Sequence, residues 1–520
     1  MAGLGVLQAG ARDRNARLIH TGLRAVTSAT DKVDGWFPTR PFAVWAVASA
    51  YNLTEQRLGR YVSARRALRR WARWLRHQKT TFLHRGGYNN KYLVDALAVL
   101  EVQRTGLRSR VPRTILGSRR GSSRKRALGL MNRRIPAAVV TSQFVLSDPD
   151  TNPAAYHALS FALYARATRL LGRRASRRNR AVLRELARTT EQIAAPDGDL
   201  AYWGRSAQQK WTLSAAAYGL AVTAALPGVD PTVRMRYHAL ADRLLRRLGT
   251  YGVGSRGEWL TPSLKQEFTA GAKSLDTYAR ATEYTGLALV ALNWAEQLLP
   301  LQASSRDALA DGPNQSIVGQ GVGRFATVRI GDLWYAVKEQ AVGERGIGDL
   351  RYDFGLVAFK RLKAGSWSDV IPLRPLGSGS AGPVLLTAQG PAFPSGASMV
   401  TSGDDGGVLI RGGFRYSDGG WARTQADFTV RPSEDRRCVV TSVGALPGDR
   451  FEFSAFFRGE VTPAVRGRRV ESGDQQVAFN LPIRLAAPER GYSSSSDARV
   501  TRQRVEVRSP VAQPVSMTTC

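Results

Sequence analysis

The sequence predicts a chain in two parts: an N-terminal α/α toroid, an incomplete barrel of helix pairs, followed by an antiparallel β-sandwich. Three observations predict it. The 520 residues are too many for one hydrophobic core. Up to about residue 300, segments that are apolar all round alternate with Arg-rich amphipathic ones. From about residue 325 short alternating runs take over, punctuated by Gly, Pro, Asp and Ser.

In chain order, the apolar segments are PFAVWAVASAYNL (41–53), NKYLVDALAVLEV (90–102), YHALSFALYARATRLL (156–171), WTLSAAAYGLAVTAAL (211–226) and LDTYARATEYTGLALVALNWAEQLL (275–299). A helix without a polar face must be buried on every side. The segments between them (54–78, 123–135, 176–193 and 231–249) place apolar residues at three- and four-residue spacing with Arg opposite, so each covers a core and faces water. The alternation repeats at roughly 45 to 65 residues, which suits a closed or nearly closed ring of inner and outer helices. A straight solenoid would leave its first and last apolar helices uncapped. The expected boundaries are 1–300 for the toroid, 301–324 for a linker containing Asp-Gly-Pro-Asn, 325–490 for the sandwich and 491–520 for a polar C-terminal strand or tail.

The net charge of +34 points to an acidic partner, although Arg-rich solvated helix faces alone produce such a balance. The two cysteines, Cys438 and Cys520, make neither a disulfide framework nor a zinc site, and the five histidines show no metal-ligand spacing. No metal or other cofactor is expected. The first residues, MAGLGVLQAGARDRNAR, do not read as an intact signal peptide, and no segment is long and apolar enough to span a bilayer.

Polar and aromatic clusters fall at one place in each repeat, at or just before the start of an apolar helix. They are DKVDGWFPTRP (31–41), HRGGYNNKY (84–92), DPDTNPAAYH (148–157), DGDLAYWGRSAQQKW (197–211) and GEWLTPSLKQEF (257–268). In a ring whose inner helices run parallel, these loops share one mouth, where free helix N–H groups favour anions. Asp31, Asp34, Asp148 and Asp197 also suit plain helix caps, as does Asn89 or Asn90, and Trp36, Trp203 and Trp259 also suit a core. A lone His157 one residue inside an apolar helix is more often a core residue than a catalyst. Recurrence of Trp and Tyr beside the charged groups favours a sugar site, because rings cover the apolar faces of sugars.

A helical toroid followed by a β-sandwich, with a basic cleft, resembles the polysaccharide lyases of the chondroitin AC/hyaluronate lyase, heparinase II/III and alginate lyase types. GYNNKYLVDALAVLE (87–101) is similar to the segment in which those enzymes use an Asn to hold a uronate carboxylate. DGDLAYWGRSAQQKWTLSAAAYG (197–219) is similar to an Asp-Gly-Ser loop leading to a Tyr-Gly pair. No His follows Asp197-Gly198, and residues 239–520 contain none, so a mechanism needing a histidine there is excluded. The resemblance implies cleavage of a uronate polysaccharide by β-elimination. In that reading Asn90, with Asn89, neutralises the carboxylate. Tyr202 acts as base and acid, its pKa of about 10 lowered by a cation such as Arg205. His157 is the alternative base. Trp36, Lys91, Trp203, Gln208, Gln209, Trp211, Lys265 and Glu267 bind substrate.

The rival enzyme is an inverting glycoside hydrolase, for which Asp34, Asp197, Asp199, Glu258 and Glu267 supply carboxylates. A non-catalytic binder of acidic glycan is the third reading. No nucleic-acid motif is present, so no specific nucleic-acid partner is expected. The resemblance implies a monomer acting on an anionic polysaccharide outside the cell or at its surface.

Overall fold

The computed structural model describes residues 1–32, 40–78, 89–107, 129–134, 153–200, 202, 211–250, 281–299, 315–318, 324–339, 354–372, 382–403, 405–459, 461–492 and 499–520. The helices are α1 (Ala2–Asp13), α2 (Ala16–Lys32), α3 (Arg40–Arg57), α4 (Val62–His77), α5 (Asn89–Arg104), α6 (Pro153–Leu171), α7 (Arg177–Ile193), α8 (Trp211–Ala224), α9 (Pro231–Gly249) and α10 (Ala281–Glu296).

The inner helices form a ring in which α3 packs on α5, α5 on α6, α6 on α8, α8 on α10, α10 on α1, and α1 again on α3. All fourteen residues of α8 are buried, as its lack of a polar face requires. Outside the ring, α4 turns Ala64, Ala67, Trp71 and Leu75 inward and most of its arginines to water. Ser176 caps α7, accepting a hydrogen bond from the Asn179 N–H at 3.1 Å. Asp230 caps α9, accepting from the N–H groups of Thr232 (2.8 Å) and Val233 (3.2 Å), with Pro231 in the first turn where no N–H is needed.

The helix α1 is the part of the ring that periodicity did not reveal. Its segment is weighed above only as a signal peptide, and it lies parallel to α10. A Cβ on Gly286 would stand 2.4 Å from the Ala2 nitrogen, and one on Gly5 would stand 2.8 Å from Leu289. Further along, the Asn293 side-chain amide donates to the Gly5 carbonyl (3.0 Å), and Arg12 pairs with Glu296. Glycines permit this close approach.

The strands are β1 (Gln315–Val318), β2 (Phe325–Ile330), β3 (Leu333–Lys338), β4 (Gly355–Lys363), β5 (Ser366–Asp369), β6 (Val384–Thr387), β7 (Gly390–Ser402), β8 (Gly407–Arg415), β9 (Trp421–Pro432), β10 (Val439–Val443), β11 (Arg450–Arg458), β12 (Ala464–Arg466), β13 (Arg469–Ser472), β14 (Gln475–Phe479), β15 (Ile483–Leu485), β16 (Glu489–Tyr492), β17 (Arg499–Arg508) and β18 (Val515–Thr519). The strands β1 to β5 form one antiparallel sheet in sequence order. The others form a larger one in the order β12-β13-β14-β18-β10-β9-β8-β7-β6-β11-β17-β15, with β16 pairing β17. Irregular register at Gly396 in β7 and Gly412 in β8 bends the larger sheet. The architecture is a helical toroid followed by a β-sandwich.

Within the 301–324 stretch read as a linker, Gln315–Val318 is a strand. Within 491–520, β17 pairs along the whole of β11, and β18 lies between β14 and β10. The β18–β10 register sets Cys438 opposite Cys520, and the two form a disulfide with a Cα–Cα distance of 4.4 Å.

The first sheet is buried on both faces. Every residue of β3 is buried. Trp334 and Ala336 join the toroid core, while Leu333, Tyr335 and Val337 join the core of the second sheet.

Candidate functional site

Several side-chain contacts show that the inner helices run parallel. Asn52 of α3 donates to the Glu101 carboxylate of α5 (2.9 Å), and Arg166 of α6 donates to the same group (2.6 Å). All three lie in the last turns of their helices. At the other end, Tyr156 and Trp211, near the starts of α6 and α8, meet edge to face at 5.9 Å. The helix N-termini therefore gather at one mouth, and the β-sheets dock beside it. There Thr327 of β2 donates to the Gln192 carbonyl at the end of α7 (2.7 Å).

Asn90 stands in the first turn of α5, 8% exposed, and its Oδ1 has no hydrogen-bond partner among the described residues. Asn89 and Lys91 flank it in the same turn; their side chains lie outside the described residues, as do Trp36, Trp203, Arg205, Gln208, Gln209, Lys265 and Glu267. Asn90, in the first turn of α5, and Tyr202, beside the end of α7, fall at the same end of the ring.

Besides Asn90, three expected site residues are buried in the structure. Tyr202 is 3% exposed, its hydroxyl donates to the Ile193 carbonyl (2.7 Å), and its ring meets Trp334 edge-on. Burial, then the neighbouring Asp199, pushes this hydroxyl well above the usual tyrosine value. That is opposite to the lowering expected for a base, because the charge beside it among the described residues is an anion. His157 points between α6 and α7, fully buried, with Nε2 3.1 Å from the Thr190 hydroxyl. Burial pulls it down to about 4, so it is a neutral core imidazole at physiological pH. Trp211, 1% exposed, packs on Tyr156 and so contributes to the wall between α6 and α8.

Asp197 and Asp199 belong to a buried charge cluster joining the toroid to the sheets. Gly198, at φ +84°, makes the turn that places both; a Cβ there would lie 2.6 Å from the Arg243 carbonyl. Lys360 of β4, fully buried, reaches Asp197 (2.8 Å), Asp199 (3.4 Å) and Asp369. Arg247 of α9 lies 3.4 Å from Asp197, 3.8 Å from Asp199 and 3.6 Å from Asp369. Although burial opposes it, Lys360 and Arg247 hold the Asp197 carboxyl low. Burial pushes Asp199 up, toward its neutral form. Two cations thus face three carboxyl groups, and Asp199 is the surplus acid. These aspartates, read above as caps or as hydrolase carboxylates, hold the loop to the second domain.

Deeper in the ring, Arg166 stacks 4.7 Å from the centre of the Trp294 ring, which also packs on Tyr218 at 5.1 Å. Burial holds the fully buried Tyr218 hydroxyl above the usual tyrosine value, and Arg166 and Arg169 beside it offset this only in part. Burial also raises the Glu101 carboxyl, but Arg166 and Arg104 outweigh it and hold the group below its ordinary value.

One group has no such partner. Asp95 of α5 is 2% exposed, its Oδ1 is unbonded among the described residues, and burial pushes it up to about 8. The sequence signal for Asp95 and Glu101 is present in hindsight: lone carboxylates inside an all-apolar helix, NKYLVDALAVLEV. Among the described residues no group of His, Cys, Asp and Glu could hold a metal ion, and no helix is long and apolar enough to cross a membrane.

No family model matches the chain, and no curated protein matches it in sequence. Among solved structures it is similar to the chondroitin AC lyase of Streptomyces coelicolor A3, solved in complex with chondroitin sulphate. Identity is 13%, 97% of this chain and 71% of that chain are covered, and the TM-score is 0.51. Similarity to the heparan sulfate lyase HepC of Pedobacter heparinus covers 99% of this chain and 74% of that one, at 11% identity and a TM-score of 0.47. In fold, then, the chain is a helical toroid with a β-sandwich of the kind found in the polysaccharide lyases.

Proposed function

We propose that the chain is a polysaccharide lyase-like enzyme that cleaves a uronate-containing polysaccharide by β-elimination. The observation that carries this reading is the convergence of the inner-helix N-termini at one mouth beside the sheets, with Asn90, whose carboxamide oxygen is unbonded among the described residues, in the first turn of α5. Free helix N–H groups and a fixed amide donor stabilise the enolate that forms when the proton α to the carboxylate leaves. Asn89 and Lys91 share that turn, and we assign sugar binding to Trp203, Arg205, Gln208 and Gln209, which lie between Tyr202 and Trp211 in the sequence.

Proton transfer requires a tyrosine beside cations. Among the described tyrosines we assign this to Tyr218: like Tyr202 it is buried and its hydroxyl is raised, but its charged neighbours are Arg166 and Arg169, which offset part of that rise, rather than an aspartate. Tyr202 instead holds the end of α7 through Ile193 and Trp334. Action outside the reducing cytoplasm is supported by the Cys438–Cys520 disulfide.

The test is a panel of anionic polysaccharides read by near-ultraviolet absorbance, which reports the unsaturated sugar left by elimination. The wild type is expected to generate absorbance on at least one uronate polymer. Asn90→Ala and Tyr218→Phe are expected to stay folded and lose at least about a hundredfold in turnover, the scale of removing a transition-state donor or proton carrier. Tyr202→Phe is expected to turn over normally. New reducing ends without absorbance would replace the lyase reading by hydrolysis, and salt-sensitive binding without product would replace it by a non-catalytic binder.

A further inference from the structure

Between the toroid and the first sheet lies a cavity of about 50 Å³, room for about three or four waters or one small anion. Its walls include the end of α7 and the turn after it, with Glu191 and Pro196. Arg243 of α9, Thr327 and Arg329 of β2, and Trp334 of β3 complete the side used here. Two guanidinium groups line it, and neither has a carboxylate within ion-pair range among the described residues. Arg243 donates to the Pro196 carbonyl (2.6 Å), and Arg329 lies over the Trp367 ring at 5.6 Å.

The acids nearby are engaged elsewhere. Glu191, the carboxylate lining the cavity, is held by Arg236 at 2.8 Å. Asp197 is held by Lys360 and Arg247, and Asp242 by Arg246. Burial, then Arg246 and Arg329, makes the charged form of Arg243 costlier, and Asp197 and Asp242 offset this only in part. Like charges gathered at a half-buried cavity whose neighbouring acids are paired with other cations are unfavourable unless an anion completes them. Guanidinium groups suit planar and tetrahedral oxyanions, which they bind through paired N–H donors.

We propose that this junction cavity is an oxyanion-binding site in which Arg243 and Arg329 hold a sulfate or carboxylate group. Neither Asn90 nor Tyr218 lines the cavity, and the binding does not depend on the elimination chemistry.

The experiment measures the unfolding midpoint of the full chain against sodium sulfate, with sodium chloride holding ionic strength constant. The wild type is expected to show a saturable rise. Arg329→Gln is expected to raise the half-saturating concentration at least about tenfold, as loss of a charged hydrogen-bond donor does. Arg329→Lys is expected to recover part of that loss. Arg243→Gln should weaken the response as well, but it also loses the Pro196 contact, so Arg329 decides. Asn90→Ala should leave the sulfate response intact. A rise that does not saturate and is equal in all variants is the general effect of sulfate on exposed surface and overturns the proposal. Loss of the response in Asn90→Ala would move the anion to the ring mouth and overturn it too. Repeating the titration with an unsulfated uronate disaccharide and with its sulfated form separates the sources. Saturation by either disaccharide below the inorganic sulfate range assigns the site to a glycan substituent, and equal or weaker response assigns it to a free anion. The readout is independent of turnover, so failure of the lyase reading leaves it standing.

Discussion

Asp95 shows how much a single buried carboxyl can do to a stability profile. Its folded value of about 8 lies far above the ordinary carboxylate value because burial disfavours the charged form. The folded state therefore holds a proton that the unfolded state has lost across the interval from about pH 4 to about pH 8. Stability falls as pH rises through that interval. Asp95→Asn is expected to flatten this slope and to raise stability at pH 8 by at least about 1 kcal/mol, checked by urea unfolding at pH 5 and pH 8. An unchanged slope in the variant would place the protonated group elsewhere. At this scale the sequence was least legible. The types of residue at the loop starts pointed to one end of the ring, and Asn90 and Tyr202 are both there. Whether a side chain faces a cleft or a core depends on neighbours distant in the chain. His157 already reads more often as core than as catalyst, but Tyr202 reads as the base until the Ile193 carbonyl stands beside its hydroxyl.

The elements themselves were more legible, because all-round apolarity and Arg-faced amphipathicity are statements about burial. The inner helices α3, α5, α6, α8 and α10 follow the apolar segments closely. Helix α1 escaped because it is short and rich in Gly and Ala, a composition that carries little periodic signal but permits near contact between backbones. That contact can be tested. Gly286→Ala would place a methyl group 2.4 Å from the Ala2 nitrogen and force α1 away from α10. The expected cost is about 1–3 kcal/mol, typical of overpacking, with earlier amide exchange in α1 than in α5 or α8. An unshifted unfolding curve would mean that α1 closes the ring only loosely. The strands followed from short alternating runs, whereas the disulfide did not. Two cysteines 82 residues apart become neighbours only once the β10–β18 register is known.

At the scale of the whole molecule, the sequence correctly indicated helices followed by strands but suggested a looser joint between them than the structure has. The joint combines a sheet sandwiched between two cores with the cluster of Lys360, Arg247 and three aspartates. The charge cluster was not visible beforehand, because Asp197, Asp199, Arg247, Lys360 and Asp369 are far apart in the chain, whereas the double burial of β3 agrees with its near-continuous apolar run, LWYAV. Removing one partner from a buried ion group typically costs about 3–5 kcal/mol, since the charges left behind have no water. Lys360→Met is accordingly expected to lower stability by that amount and to speed cleavage of the chain by protease. Wild-type resistance in the variant would show that the sheet alone carries the joint.

A layer that belongs to two cores has no natural seam. Expressing residues 1–299 alone would leave the helices without the rings of Trp334 and Phe325 that complete their interior, and residues 315–520 alone would present those same rings to solvent. Each fragment would carry a sticky wound the size of the other's missing wall, so anyone seeking a minimal working unit should expect inclusion bodies from the halves and soluble material from the intact polypeptide.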